Sequence, residues 1–129
     1  IIVRISADEF AEGGNTLQDS IEYLRFFEKE VDMFDVSAGL NSSIQYQIDA
    51  NHLADGWRAY LSRAIKEEFG KPVFVMGNIR DPKVAEDILA RGDADMIGIG
   101  RGLIADPEYV NKVISGREDD IRKCISCNI

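Results

Sequence analysis

A chain of 129 residues with 45% hydrophobic content is the length of one ordinary domain and carries enough apolar material for a core. Its 15 basic and 23 acidic residues leave a net charge of −8, opposite in sign to a nucleic-acid-binding footprint, so no nucleic acid is expected as a partner. Apolar runs such as Val73-Phe74-Val75-Met76 are strand-sized and far short of the roughly 20 residues a membrane helix needs, so neither a membrane partner nor a signal peptide is expected and the location reads as cytoplasmic.

Ile1 to Ile5 is a short apolar run broken by Arg4, the pattern of a buried strand with one polar group at its functional end. After Gly13-Gly14, Thr16 with Asp19 three residues on marks a helix start, although Glu or Gln is the preferred partner there. Leu17, Ile21, Leu24, Phe27 and Val31 then recur at helical spacing. Met33 to Val36 is a second strand, and Ser37 to Asp55 is a long polar connection of the kind that is functional or mobile in a small domain. Asp55 is placed to cap a helix carrying Trp57, Leu61, Ile65 and Phe69, closed by Gly70. Val73 to Met76 is the third strand, and Asp81-Pro82 opens a helix with Val84, Ala85, Ile88 and Leu89 that Gly92 ends. Met96 to Ile99 is the fourth strand; a turn at Gly102-Leu103 leads to Asp106-Pro107, which opens a last helix through Val110, Val113 and Ile114 to Gly116.

Four strand–helix units in succession imply parallel strands joined by right-handed crossovers, either in an open doubly wound sheet or in part of a closed barrel. A whole (β/α)8 barrel takes about 250 residues, so four units would be half of one. The chain opens inside a strand without a methionine and stops just after Cys124-Ile125-Ser126-Cys127, so it reads as a piece of something longer. Two cysteines this close and this late suggest a reduced compartment and a ligand or redox role, not a disulfide framework.

Parallel α/β proteins place their sites at the C-terminal ends of the strands. There the third strand ends in Gly77-Asn78 and the fourth in Gly98-Ile99-Gly100-Arg101-Gly102. Glycines let a phosphate approach backbone N–H groups, and Arg101 can add charge-assisted hydrogen bonds. The alternative is a tight turn with a surface arginine. Cys-x-x-Cys taken alone is compatible with zinc, a redox pair or two unrelated thiols.

Val3-Arg4-Ile5-Ser6, Asp35-Val36-Ser37-Ala38-Gly39, Gly77-Asn78-Ile79-Arg80-Asp81-Pro82 and Ile99 to Pro107 resemble, in order and spacing over the whole chain, strands five to eight of Old Yellow Enzyme-like NADH:flavin oxidoreductases. The ending, Asp119 to Asn128, is similar to the larger branch of that family, which includes 2,4-dienoyl-CoA reductase and trimethylamine dehydrogenase. The resemblance implies that residues 1–129 are the C-terminal half of an FMN-binding (β/α)8 barrel, with 117–129 starting an iron–sulfur segment. It implies that Arg4 lies beside the pyrimidine end of the flavin, where a guanidinium stabilises charge built up on hydride transfer. Gly77, Asn78, Gly100 and Arg101 match the loops that hold the FMN phosphate, although dienoyl-CoA reductases carry an arginine where Asn78 stands. Cys124 and Cys127 match the first two cysteine ligands of a 4Fe–4S cluster that needs four. Dienoyl-CoA reductases also place a histidine where this sequence has Asn41, so a dienoyl-CoA substrate is not carried over. His52, the only histidine, reads as a loop residue, and Tyr46 and Trp57 as core or rim packing near a pocket.

The resemblance thus implies an FMN-dependent parent enzyme that uses NAD(P)H to reduce a small-molecule activated alkene, such as an enoate, enone or enoyl thioester. No catalytic residue is expected in this half, which by itself would be inactive. An amine dehydrogenase on the same barrel is the alternative within enzymes. A receiver-like doubly wound interaction domain is the alternative outside them. The expected partners are the missing N-terminal half-barrel or, without it, a second copy in a homodimer or larger self-association. The strands' inward faces, including Ile2, Val36, Phe74 or Val75, and Ile97, would otherwise lack an opposing layer.

Overall fold

Local signals set most of the element boundaries in the computed structural model, which describes residues 1–128. Thr16 and Asp19 close a full capping box, each side chain bonded to the other's backbone N–H, ahead of helix α1 (Leu17–Leu24). Asp81 accepts from the N–H of Lys83, and Pro82 takes the first position of α4 (Pro82–Ala90). Gly70, at φ +60°, ends α3 (Ala59–Phe69) in the left-handed region, as a glycine does without strain.

The remaining elements are strands β1 (Ile2–Ser6), β2 (Met33–Ser37), β3 (Val73–Met76) and β4 (Met96–Gly98), with short helices α2 (Ile44–Gln47), α5 (Arg101–Ala105) and α6 (Tyr109–Ile114). All pairings are parallel and the spatial order is β1-β2-β3-β4. Right-handed crossovers between strands in monotonic order put every helix on one face of the sheet. A doubly wound sheet reverses its order and is covered on both faces. The fold is therefore α/β with four parallel units of a (β/α)8 barrel, half the wall, and the receiver-like alternative fails on topology.

The helix-facing side is the core. Phe34, Val36 and Val73 pack with Ile21, Leu24, Leu61 and Ile65, while Val75 packs with Ala59, Ile79 and Ile88, and Ile97 joins that cluster. Strand alternation then sends the other set inward: Ile2, Arg4, Met33, Asp35, Phe74, Met76, Met96 and Gly98, in register across the four strands. This corrects the expected inward set, because Val36, Val75 and Ile97 face the helices. Ile2 and Phe74 do face inward, and Ile2 and Met96 are 66% and 53% exposed.

Other differences have identifiable causes. Asp55 does not cap α3, whose first residue is Ala59, because its carboxylate is taken by Arg80, with Nε at 2.6 Å. The periodicity through Phe27 and Val31 does not continue α1. After Leu24 the chain tightens into a 3-10 turn at Glu28–Glu30, where the Lys71 ammonium binds the carbonyls of Glu28 and Val31. The turn expected at Gly102-Leu103 is helix α5. The Ser37–Asp55 connection is not a bare loop: it carries α2, and Ser43 Oγ, within a buried residue, ties it to the Glu9 carbonyl at 2.6 Å.

Candidate functional site

The strand ends of β3 and β4 open onto a cavity of about 200 Å3, lined among others by Gly77, Asn78, Gly100 and Arg101, the four residues that the sequence singles out there. The backbone N–H groups of Gly77, Asn78 and Gly100 have no hydrogen-bond partner among the described residues. A Cβ built on Gly100 meets nothing within 4 Å, so that turn is open to a ligand. Gly77 differs. Its φ is +122°, and a Cβ there would fall inside the Arg58 guanidinium.

Asn78 contributes only backbone. Its side chain is spent on structure, with Nδ2 donating to the Leu53 carbonyl and Oδ1 accepting from Ser126 Oγ, both at 2.7 Å. Asn78 and Ser126 are non-glycine residues at positive φ, +47° and +49°, and both are buried, so their hydrogen bond joins two strained turns.

Three arginines line the cavity against one carboxylate, Asp49. Arg80 is neutralised by Asp55. Arg58 is 4% exposed and donates to the Met76 carbonyl at 2.8 Å, the Tyr46 carbonyl at 2.9 Å and Asp49 Oδ2 at 3.2 Å. Burial lowers the Arg58 guanidinium below its ordinary range, opposed by Asp49 and reinforced by Arg4 and Arg101. Arg101 donates to the Asp49 carbonyl at 3.1 Å and to Asn128 Oδ1. Arg101 thus sits on the ligand side of the strand ends and is held by the rim. Sequence reading missed Arg58 and Asp49; neither carries a local signal, because their meeting depends on α3 docking behind Gly77.

Arg4 stands apart from this cavity, on the inward face of β1. Its guanidinium lies 3.6 Å from Asp35 Oδ2 and 3.5 Å from Ser37 Oγ, on a side chain 59% exposed. Burial raises the Asp35 carboxyl, with Arg4 acting in the opposite direction, and Asp35 Oδ1 has no hydrogen-bond partner among the described residues.

Cys124 lines the cavity and Cys127 is exposed, both as free thiols. The segment carrying them is tied down, contrary to what an unanchored chain end suggests. Arg122 N–H donates to Asp106, Lys123 pairs with Asp81 at 2.6 Å, and Asn128 Nδ2 donates to the Ile48 carbonyl at 2.8 Å. No group of three His, Cys, Asp or Glu gathers to hold a metal among the described residues. His52 is an exposed loop residue outside the cavity lining. Tyr46, Trp57 and Phe10 form a cluster of tilted rings at centroid separations of 4.7 to 5.7 Å, which is rim packing. Among the described residues, no helix is long and apolar enough to cross a membrane.

A barrel wall with a cationic, donor-lined cavity after its last two strands and a short extra helix beside it has the phosphate-site layout of barrel enzymes. The chain belongs to the NADH:flavin oxidoreductase / NADH oxidase family, whose model matches residues 1–120. It is 47% identical over 130 residues to an NADH oxidase of Thermoanaerobacter brockii, covering 100% of this chain and 20% of that protein. Among solved structures it resembles 2-naphthoyl-CoA reductase in complex with 2-naphthoyl-CoA, with a TM-score of 0.89, 30% identity and 99% of this chain against 20% of that one. It also resembles histamine dehydrogenase from Rhizobium sp. 4-9, with a TM-score of 0.86, 30% identity and 99% of this chain against 18% of that one. The chain thus spans about a fifth of the length of these relatives.

Proposed function

We propose that this chain supplies the phosphate-binding half of an FMN barrel in an enzyme that uses NAD(P)H to reduce an activated alkene such as an enoate, enone or enoyl thioester. The observation that carries the reading is the cavity at the ends of β3 and β4, which Gly77, Asn78 and Gly100, with N–H groups unpartnered among the described residues, line together with Arg101. That donor set fits a phosphomonoester: fixed backbone dipoles and a planar guanidinium suit its oxygens. FMN, when bound, supplies the hydride-accepting and hydride-donating chemistry. Gly77, Asn78, Gly100 and Arg101 hold the phosphate. Arg4, on the inward face, presents positive charge where the ring gains electrons. Asp35 and Ser37 orient that guanidinium.

Cys124 and Cys127 do not make a 4Fe–4S site by themselves, since a cubane needs four ligands. In our reading, residues 117–129 begin an iron–sulfur segment whose other ligands lie elsewhere in the enzyme. We place the enzyme in a reducing, cytoplasmic compartment, where a Cys-x-x-Cys pair remains available as ligands. The partner is the other half-barrel, which supplies the catalytic groups and covers the inward face.

The test uses the full enzyme. Acid extraction should release FMN, anaerobic NAD(P)H should bleach the flavin absorbance, and an enone should restore it. The likeness to histamine dehydrogenase favours a second reading, amine oxidation, in which an amine bleaches the flavin without NAD(P)H. Release of a flavin lacking the phosphate, or none, would overturn both readings.

A further inference from the structure

Arg58 is not explained by holding the fold together. A guanidinium has five N–H donors and, among the described residues, three of those on Arg58 are committed: Nε to Met76, one on Nη1 to Tyr46, and one on Nη2 to Asp49. One N–H on each terminal nitrogen is left over in a residue that lines the cavity. Burying a charge is expensive unless it is paired, and the pairing here is incomplete. Asp49 is 2% exposed and stands between two guanidinia, Arg58 at 3.2 Å and Arg101 at 3.7 Å, while its other oxygen accepts from Trp57 Nε1 at 2.7 Å. With Arg80 matched by Asp55, the cavity keeps one positive charge in excess, inside a chain of net charge −8.

We propose that Arg58 is the buried cation of the anion site: set behind Gly77, it supplies the charge that selects a phosphomonoester, and Asp49 is the internal anion from which that ligand draws Arg101. The inference rests on reading the cavity as the FMN phosphate site and adds to it a residue from a different element. Gly77 is glycine because the Arg58 guanidinium fills the space of its side chain, which brings a full positive charge up against the open N–H groups of that turn. A phosphomonoester carries about 1.5 to 2 negative charges at neutral pH, opposite in sign to the excess and more than enough to balance it. Asp49 keeps the two guanidinia from repelling each other when no ligand is bound, and its partial hold on Arg101, through a carbonyl and a long ion pair, is weak enough to be exchanged.

The experiment compares FMN with riboflavin, which differ only in the phosphate, in equilibrium titrations of the flavin-free full enzyme. Arg58→Gln should weaken FMN binding about tenfold or more and leave riboflavin within about twofold, the scale of a lost hydrogen bond to a charged group. Arg58→Lys should recover most of the preference. Asp49→Asn should raise the FMN preference severalfold, because the competing anion is gone. Equal weakening of both ligands by Arg58→Gln, or no change in either, overturns the proposal. If that variant does not fold, Asp49→Asn decides: a preference that is unchanged or lower overturns it. Arg101→Gln separates the two levels of the argument. If it abolishes the preference while Arg58→Gln and Asp49→Asn leave it intact, the inference on Arg58 falls and the phosphate site stands; if none of these substitutions moves the preference, both fall.

Discussion

The two faces of the sheet are built to different standards of completion. On the helix side Phe34, Leu61, Ile65 and Val73 have no exposed surface, and the apolar clusters close around them. On the inward side Ile2 and Met96 lie more than half exposed, Arg4 reaches only long contacts, and Asp35 keeps an unpartnered oxygen. Stability is thus concentrated on the helix side, while the inward face leaves large apolar side chains open. The cavity at the ends of β3 and β4 is closed by groups from this chain, Arg58 and Asp49 among them, whereas Arg4 on β1 stands half-exposed.

The largest effect should separate the faces directly. Phe34→Ala should cost about 3–5 kcal/mol in denaturant unfolding of this chain, as a large-to-small core change does. Met96→Ala in the chain alone should stay within about 0.5 kcal/mol, but in the full enzyme it should rise to about 2–5 kcal/mol. Equal small costs in both contexts would break the comparison. Expressed alone, the chain should also self-associate through its inward face and the free edges of β1 and β4, most simply as a two-fold dimer. A monomer by light scattering at high concentration would count against that.

Gly77→Ala is next. It forces an L side chain into a glycine backbone region and displaces the Arg58 guanidinium, so a loss of about 1–3 kcal/mol is expected together with the FMN-over-riboflavin preference. Gly100→Ala, which meets open space, should spare stability and reduce only FMN affinity. A Gly77→Ala variant that melts lower but keeps the FMN-over-riboflavin preference would show that Gly77 is a turn residue and nothing more.

What the sequence made legible divides along the same line. Thr16, Asp81-Pro82 and Gly70 act on neighbours in the chain, so local pattern finds them. Asp55 looks like another cap, but its partner Arg80 arrives from 25 residues away and a charged hydrogen bond wins. The inward face was misassigned by one residue in β2 and β4 because Val36 and Ile97 are as apolar as a barrel interior requires. Arg4 is the better guide, since a guanidinium is costly in an apolar helix-facing core without partners, and its register partner Asp35 must share its side. At the cavity, the glycines and Arg101 were readable as strand-end residues, and they line one pocket. Arg58 and Asp49 were not, because a buried ion pair leaves no local spacing to detect.

Two carboxylates sharpen the contrast through their opposite response to acid. Asp106, 1% exposed, accepts from Lys112 Nζ at 2.6 Å and from the N–H groups of Arg122 and Glu108, which hold its carboxyl down to about 2. A lowered value stabilises the fold above the ordinary carboxyl range near 3.9, and that contribution disappears as the pH falls from about 4 to 2. Asp106→Asn should therefore melt well below the parent at pH 7, with the gap closing on acidification across that window.

Asp35 should behave in reverse, and with the smallest effect. Burial is the main influence on its carboxyl and raises it; Arg4 opposes this from 3.6 Å, but a half-exposed guanidinium is screened and recovers little. A group whose value is raised by folding favours the folded state fully only below its unfolded value, and it loses that advantage as the pH rises through the folded one. At pH 7 the ionised carboxylate is thus a burden on the chain alone. Asp35→Asn keeps the shape, removes the charge, and should melt slightly above the parent at pH 7, with the difference shrinking as the pH drops below the carboxyl range. Melting curves of the two proteins from pH 3 to 7 decide the point. A variant that is less stable at pH 7, with a deficit that closes on acidification as for Asp106, would mean that the Arg4–Asp35 pair is a net stabiliser and that the inward face is already organised without its opposing layer.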